Sequence, residues 1–162
     1  MKCVVQRVSR ARVVVDGAVV GEIGPGALVL LCVMRGDGER EAGALAEKVA
    51  RFRFFTDALG KMNLSALDLG RPVLVVSQFT LAADGRAGRR PSFDAAAPPD
   101  EARALCARFQ TALEGLGLAV QTGRFGAHMD VESVNDGPVT FVLEEPPKRP
   151  SGGVGDPSQV LA

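Results

Sequence analysis

The sequence predicts an α+β fold: a mainly antiparallel, curved β-sheet or partial barrel with two helices packed on one side. Three observations carry this. Strand-like apolar runs fill most of the first 34 positions and return at 72–81 and 131–144. Only two stretches, 39–52 and the one after Pro98-Pro99, repeat their apolar residues at helical spacing. Most neighbouring strands can pair antiparallel, and a strand–helix alternation is absent, so a Rossmann-type sheet is not expected.

The elements follow in order. KCVVQRV (2–8) and RVVV (12–15) read as strands, and Asp16-Gly17 turns the second into AVVGEI as a tight hairpin. Gly24-Pro25-Gly26 breaks the chain before the run 27–34, apolar on both faces and therefore a central strand. Ala42, Leu45, Ala46, Val49 and Phe52 mark one helix lying on the sheet. Loop signals at Asp57–Gly60 and Asp68–Gly70 precede the strand PVLVVSQFTL. Residues 82–98 lack periodicity, and a loop of that length is usually functional or disordered. Ala102, Leu105, Cys106, Phe109, Leu113 and Leu116 mark the second helix, which stops at Gly115–Gly117. A strand LAVQT follows, then GRFGAHM, then VESVNDGPVTFVLE, in which Asn135, Asp136 and Gly137 read as hairpin residues and Pro138 as the opening of a strand.

Composition bounds the function. A chain of 162 residues with 46% hydrophobic content supports one domain, taken as 1–145, while the Pro-, Gly- and Ser-rich segment 146–162 reads as a disordered tail. Nineteen basic and nineteen acidic residues cancel, so an anionic partner must be met by a local patch rather than a global field. Cys3, Cys32 and Cys106 lie far apart in apolar runs, and His128 is the single histidine. That pattern supports neither a disulfide framework nor a metal site, and suits core thiols in a reducing compartment. No signal-peptide or membrane-spanning stretch is expected, so the predicted location is cytoplasmic.

Two segments carry candidate chemistry. SQFTL (77–81) ends an apolar strand at the mouth of the long loop, with Ser77 and Phe79 on one face and Gln78 and Thr80 on the other. Ser77 and Thr80 either satisfy backbone groups at the end of the sheet or act on a substrate. A triad would have to recruit His128 with Asp130 or Asp136, and no nucleophile-elbow pattern surrounds Ser77. GRAGRRPSF (85–93) places Arg86, Arg89 and Arg90 in a glycine-bearing loop, either solvated or wrapping phosphates, with Phe93 as its anchor to the core. Gly123 and Gly126 permit close approach of a flat ligand; Phe125 and Met129 are either core residues or stacking surfaces for a base.

Taken together, MKCVVQRVSRARVVVDGAVVGEIGPGALVLL, KMNLS, VVSQFTLAAD with GRRPSFDAAAPP, and TGRFGAHM leading into NDGPVT resemble the D-aminoacyl-tRNA deacylase family, in order, from Met1 to about Leu143. The resemblance implies a homodimer with an active site at each side of the interface, and, with no metal site supported by the cysteine and histidine pattern, no cofactor is expected. Such a dimer hydrolyses the ester joining a D-amino acid, or glycine mischarged on tRNA(Ala), to the terminal adenosine of tRNA. It implies that SQFTL (Ser77, Gln78, Phe79, Thr80) forms the floor of the site, and that Gly137-Pro138, in the cis form, reaches into the partner subunit as a chirality filter. Arg7 matches the arginine that steadies the Gly-Pro carbonyls, with Asn135 beside it in support. Phe125, Gly126, Ala127 and Met129 match the segment that receives the adenine. The resemblance further implies that the 2′-hydroxyl of the ribose and backbone N–H groups, that of Phe79 first, carry catalysis. An animal-type paralogue differs at the SQFTL position, so the intact SQFTL and NDGPVT favour the strictly D-selective type.

Overall fold

The computed structural model describes residues 1–86 and 88–147. Its centre is one 14-residue strand, β1 (Lys2–Val15), where the sequence suggested two. Asp16 and Gly17, both at positive φ, turn it into β2 (Ala18–Ile23), and β3 (Gly26–Cys32) pairs back on the first half of β1. Helix α1 (Glu39–Arg51) follows, then the small hairpin β4 (Phe55–Thr56) and β5 (Met62–Leu64), the single-turn α2 (Ala66–Leu69), β6 (Val73–Ser77), a 3-10 turn (Phe79–Ala82), α3 (Pro99–Gly115), β7 (Val120–Thr122) and β8 (Asp130–Glu144).

The main sheet runs β2-β1-β3-β6-β7, with β8 antiparallel to β1 along nearly its whole length. It is mixed: β3–β6 and β6–β7 are parallel pairs, each spanned by a helix-containing crossover. The expected absence of strand–helix–strand units is thus corrected. The loops hid the crossovers: 57–70 separates α1 from the strand it leads to, and 82–98 separates α3 from the strand it leaves. Beyond the two long helices, α2 and the 3-10 turn were not anticipated; both are too short to show a periodicity.

The sheet curls until β2 meets β7. A Cβ on Gly21 would fall 2.4 Å from the Thr122 carbonyl oxygen of β7, so this strand glycine lets the two ends of the sheet approach, while a Cβ on Gly26 would fall 2.3 Å from the Pro72 carbonyl oxygen where β3 and β6 begin to pair. Alternation then sorts the apolar residues into two cores. Val8, Val13, Ile23, Leu28, Leu74 and Val76 fill the concave side. Val5, Val29, Leu31 and Val75 face the other way and pack with Leu45, Val49, Phe109 and Leu113 of α1 and α3, the two helices expected on one side. No helix among the described residues is long and apolar enough to cross a membrane. Of the tail expected at 146–162, positions 148–162 lie outside the described residues.

The hairpin expected at 135–137 is absent: both halves of β8 pair with the same strand. Gln6 opposes Thr140 and Val8 opposes Asn135, so Arg7 alone faces residues 136–139. Pairing with β1 on both sides turns the N-D-G-P sequence into a large bulge, four residues against one, rather than a reversal.

Candidate active site

β6 ends at Ser77, where the Gln78 N–H donates to the Leu31 carbonyl at 2.7 Å and fixes the exit from the sheet. The chain then tightens into the 3-10 turn, with Leu81 N–H donating to the Gln78 carbonyl and Ala83 N–H to that of Thr80. Strand alternation therefore stops one residue into SQFTL, and the predicted two-face arrangement of Ser77 to Thr80 does not form. The consequence is chemical. The N–H groups of Phe79 and Thr80, first in a tight turn, have no acceptor among the described residues. Gln78 braces this turn by donating from Nε2 to Thr80 Oγ1 at 2.5 Å.

Beneath the turn lies Cys32, which sequence reading treated only as a core residue. It is buried, as expected, and its thiol is 3.7 Å from the Phe79 carbonyl and 3.6 Å from Met34 Sδ. Burial pushes this thiol up from its ordinary pKa, so it stays protonated as a donor.

Above the turn opens a cleft of about 770 Å³, within the size range of small-ligand sites. Ser77, Gln78 and Phe79 line it together with Phe125, Gly126, Ala127 and Met129, so two of the sequence-predicted clusters share one cavity. Two glycines shape the second cluster. A Cβ on Gly123 would fall 2.6 Å from Met129 Sδ, and Gly126 sits at φ +79°. Phe93 is half-buried and meets Phe79 edge to face at 5.1 Å, anchoring the arginine loop to the site rather than to the deep core.

The loop's arginines divide. Arg86 lies against Asp84, with Nη2 2.6 Å from Oδ2, and this partner holds the carboxyl below its usual range. Arg89 and Arg90 are exposed and have no carboxylate partner among the described residues; none of the three lines the cleft. Two arginines that sequence reading missed lie closer. Arg35 lines the cleft and donates from Nε to the Asp94 carbonyl, and Arg103 lies over the Phe125 ring, its Cζ 4.6 Å from the centroid. The stack joins residues far apart in sequence, so no local pattern signals it.

A triad is not assembled. His128 sits at the lip with its side chain 96% exposed, 3.9 Å from Asp130, and makes no hydrogen bond to Ser77 or Thr80. No group of three potential metal ligands occurs among the described residues.

The remaining predicted residues form a second cluster on the β8 bulge, and they do not line their own chain's cleft. The Gly137-Pro138 peptide bond is cis, and both residues are exposed. Arg7 donates from Nε to the Asp136 carbonyl at 3.0 Å and from Nη1 to the Phe54 carbonyl and Thr56 Oγ1. Asn135 spans the bulge: Oδ1 accepts from the Val139 N–H and Nδ2 donates to Thr140 Oγ1, each at 2.8 Å. Gly137 has φ +139°, and a Cβ there would meet Val139 Cγ2 at 2.6 Å. The excursion is therefore fixed at its start, middle and end.

Comparison with known proteins supplies the family. The model of the D-Tyr-tRNA(Tyr) deacylase family matches residues 4–144. The D-aminoacyl-tRNA deacylase of Ruegeria pomeroyi is 57% identical over 144 residues, covering 89% of this chain and 99% of that protein. That of Geobacter metallireducens is 58% identical over 153 residues, covering 94% and 100%. Among solved structures, a c-Myc DNA unwinding element binding protein superposes with a TM-score of 0.84 at 39% identity, covering 90% of this chain and 99% of that one. A probable eukaryotic D-amino acid tRNA deacylase superposes with a TM-score of 0.76 over 89% and 98%; at 17% identity it attests the fold alone. The matched residues take in both clusters and the sheet that holds them, and the chain belongs to the D-Tyr-tRNA(Tyr) deacylase family.

Proposed function

We propose that this chain hydrolyses the ester bond of D-aminoacyl-tRNA, and of glycine mischarged on tRNA(Ala), in the cytoplasm, and that residues 1–145 are the single domain responsible. Family membership supports the reaction class. The arrangement of the two clusters supports the mechanism. The cleft of about 770 Å³ accepts a terminal adenosine against Phe125, Gly126, Ala127 and Met129, and the aminoacyl ester then points toward the SQFTL turn. Water adds to the ester carbonyl, the free N–H groups of Phe79 and Thr80 meet the developing oxyanion, and the ester C–O bond breaks. The ribose 3′-oxygen takes its proton from the 2′-hydroxyl while the 2′-oxygen takes the proton given up by the attacking water, releasing free D-amino acid and tRNA. An aminoacyl ester is already activated, so positioning and these two donors suffice without a side-chain nucleophile.

The chirality filter comes from a second copy of the chain. The single observation that carries this is the position of Gly137-Pro138: exposed, braced by Arg7 and Asn135, and outside its own cleft. Val134 and Val142, opposite Arg10 and Val4, leave apolar side chains exposed on one face of the same strand, which suits a face covered by a partner. In a homodimer, the bulge of one subunit enters the cleft of the other, and its carbonyls accept the ammonium of the substrate. With the amino group and ester both fixed, a D side chain points outward and an L side chain runs into main chain, whatever its identity. Glycine has no side chain to refuse. Arg89 and Arg90, exposed beside the cleft, meet tRNA phosphates further along, with Arg86 as a weaker participant because Asp84 holds it.

The test is deacylation by purified protein of D-tyrosyl-tRNA, L-tyrosyl-tRNA and glycyl-tRNA(Ala). The proposal predicts turnover of the first and third with the second spared; protein inert toward D-tyrosyl-tRNA, or equally active on the L form, would overturn it.

A further inference from the structure

We propose that Arg103 is a substrate-binding residue that grips the phosphodiester adjoining the nucleoside seated at Phe125, so that Arg103 and Phe125 together read the terminal nucleotide as base plus phosphate. The inference rests on the reading of the cleft as the seat of a tRNA 3′ end.

Helix α3 presents Pro99, Ala102 and Cys106 to the cleft, one helical stripe. Arg103, next to Ala102, leaves the helix beside that stripe, and its guanidinium lies over the ring of the cleft residue Phe125, 4.6 Å from the centroid. A guanidinium resting on an aromatic face keeps its N–H donors directed along its own plane, away from the ring, where a phosphate accepts two of them at once. The stack also removes much of the side chain's freedom before a ligand arrives, which lowers the entropic cost of the contact.

The charge is unmatched. Arg108, further along the same helix, lies 3.9 Å from Glu39, and Arg124, next to Phe125 in sequence, lies 3.8 Å from Asp16. Arg103 is exposed and has no carboxylate partner among the described residues. A nucleoside alone leaves that charge uncompensated at the mouth of the cleft, whereas a nucleotide that carries a 5′ phosphodiester matches it.

The experiment compares wild type with Arg103→Met, which keeps an unbranched chain against Phe125 but removes charge and donors, and with Arg103→Lys. Each is assayed on D-tyrosyl-tRNA and on 3′-O-D-tyrosyl-adenosine, which lacks the phosphate. The quantity read is the ratio of their KM values, together with the salt dependence of kcat/KM on the tRNA substrate. Loss of one charge-assisted contact predicts that the KM advantage of the tRNA substrate shrinks by about tenfold or more in Arg103→Met. It also predicts that the salt slope becomes shallower by about 0.7, the value for one single-strand phosphate, with Arg103→Lys recovering the slope. A wild-type slope in Arg103→Met, or equal losses on both substrates, would overturn the phosphate contact while leaving the deacylase reading intact. Wild-type protein inert on both substrates would overturn the deacylase reading and this inference with it.

Discussion

Arg7 donates from Nε to the main-chain carbonyl of Asp136 at 3.0 Å, so the one residue of β1 that faces the β8 excursion is also the residue that ties it down. The same guanidinium bridges to Phe54 and Thr56, and only 13% of the side chain is exposed. The Gly137-Pro138 segment is thereby referenced to two other parts of the fold.

Replacing Arg7 with Ala leaves the Phe54 carbonyl and the Asp136 carbonyl without their donor. We expect a loss of about 1–3 kcal/mol in stability, read from urea midpoints, and a fall of at least about tenfold in kcat/KM on D-tyrosyl-tRNA. Arg7→Lys keeps the charge but carries its donors on one nitrogen where Arg7 uses both Nε and Nη1, and should recover stability better than activity.

Gly137→Ala places a Cβ 2.6 Å from Val139 Cγ2 at a φ that L side chains rarely adopt. The expected cost is about 1–3 kcal/mol, with the bulge displaced and activity on D-tyrosyl-tRNA reduced at least about tenfold while the rest of the sheet stays folded. Circular dichroism and the deacylation rate, measured on the same preparation, check it.

Much of this was legible in the sequence, and the failures have physical causes. The two amphipathic helices were visible because Leu45, Val49, Phe109 and Leu113 repeat on faces that pack against one another. The NDGP bulge was misread as a hairpin because local turn chemistry is the same in both; only the pairing of both flanks with β1 distinguishes them. SQFTL was found as a strand end, but its tightening into a 3-10 turn, which frees two N–H groups, was not. Arg103 and the Cys32 thiol were invisible because their partners, Phe125 and the Phe79 carbonyl, lie far away in sequence.

If backbone N–H groups carry catalysis, Ser77→Ala and Thr80→Ala should reduce kcat by less than about tenfold, whereas loss of a covalent nucleophile costs orders of magnitude. Thr80→Ala should be the larger, because it removes the acceptor of the Gln78 side chain. A trapped acyl-enzyme seen by mass spectrometry would contradict the mechanism.

The pH profile of stability should be a plateau with two shoulders. Burial pushes the Cys3 thiol up to about 12 and that of Cys106 up to about 11, from an ordinary 9.0. A folded value above the unfolded one means stability fully present below about pH 9 and lost as the pH rises toward those values. On the acid side, Lys48 holds the Glu145 carboxyl below its ordinary 4.5, so its contribution is present above that pH and lost as the pH falls through the lowered value. Urea midpoints should therefore stay flat between about pH 5 and 8 and fall on either side, and iodoacetamide at pH 7.5 should leave activity intact.

The cross-subunit filter is tested most directly by complementation. Gly137→Ala spoils the bulge but not its own cleft, and Ala127→Trp fills the cleft but not the bulge. Each alone should be nearly inactive on D-tyrosyl-tRNA. When the two are unfolded together, refolded as an equal mixture and assayed, half the dimers should be mixed and one of their two sites intact, which restores about a quarter of wild-type activity. A mixture no more active than its parts would contradict the account, because the bulge would then serve only its own chain.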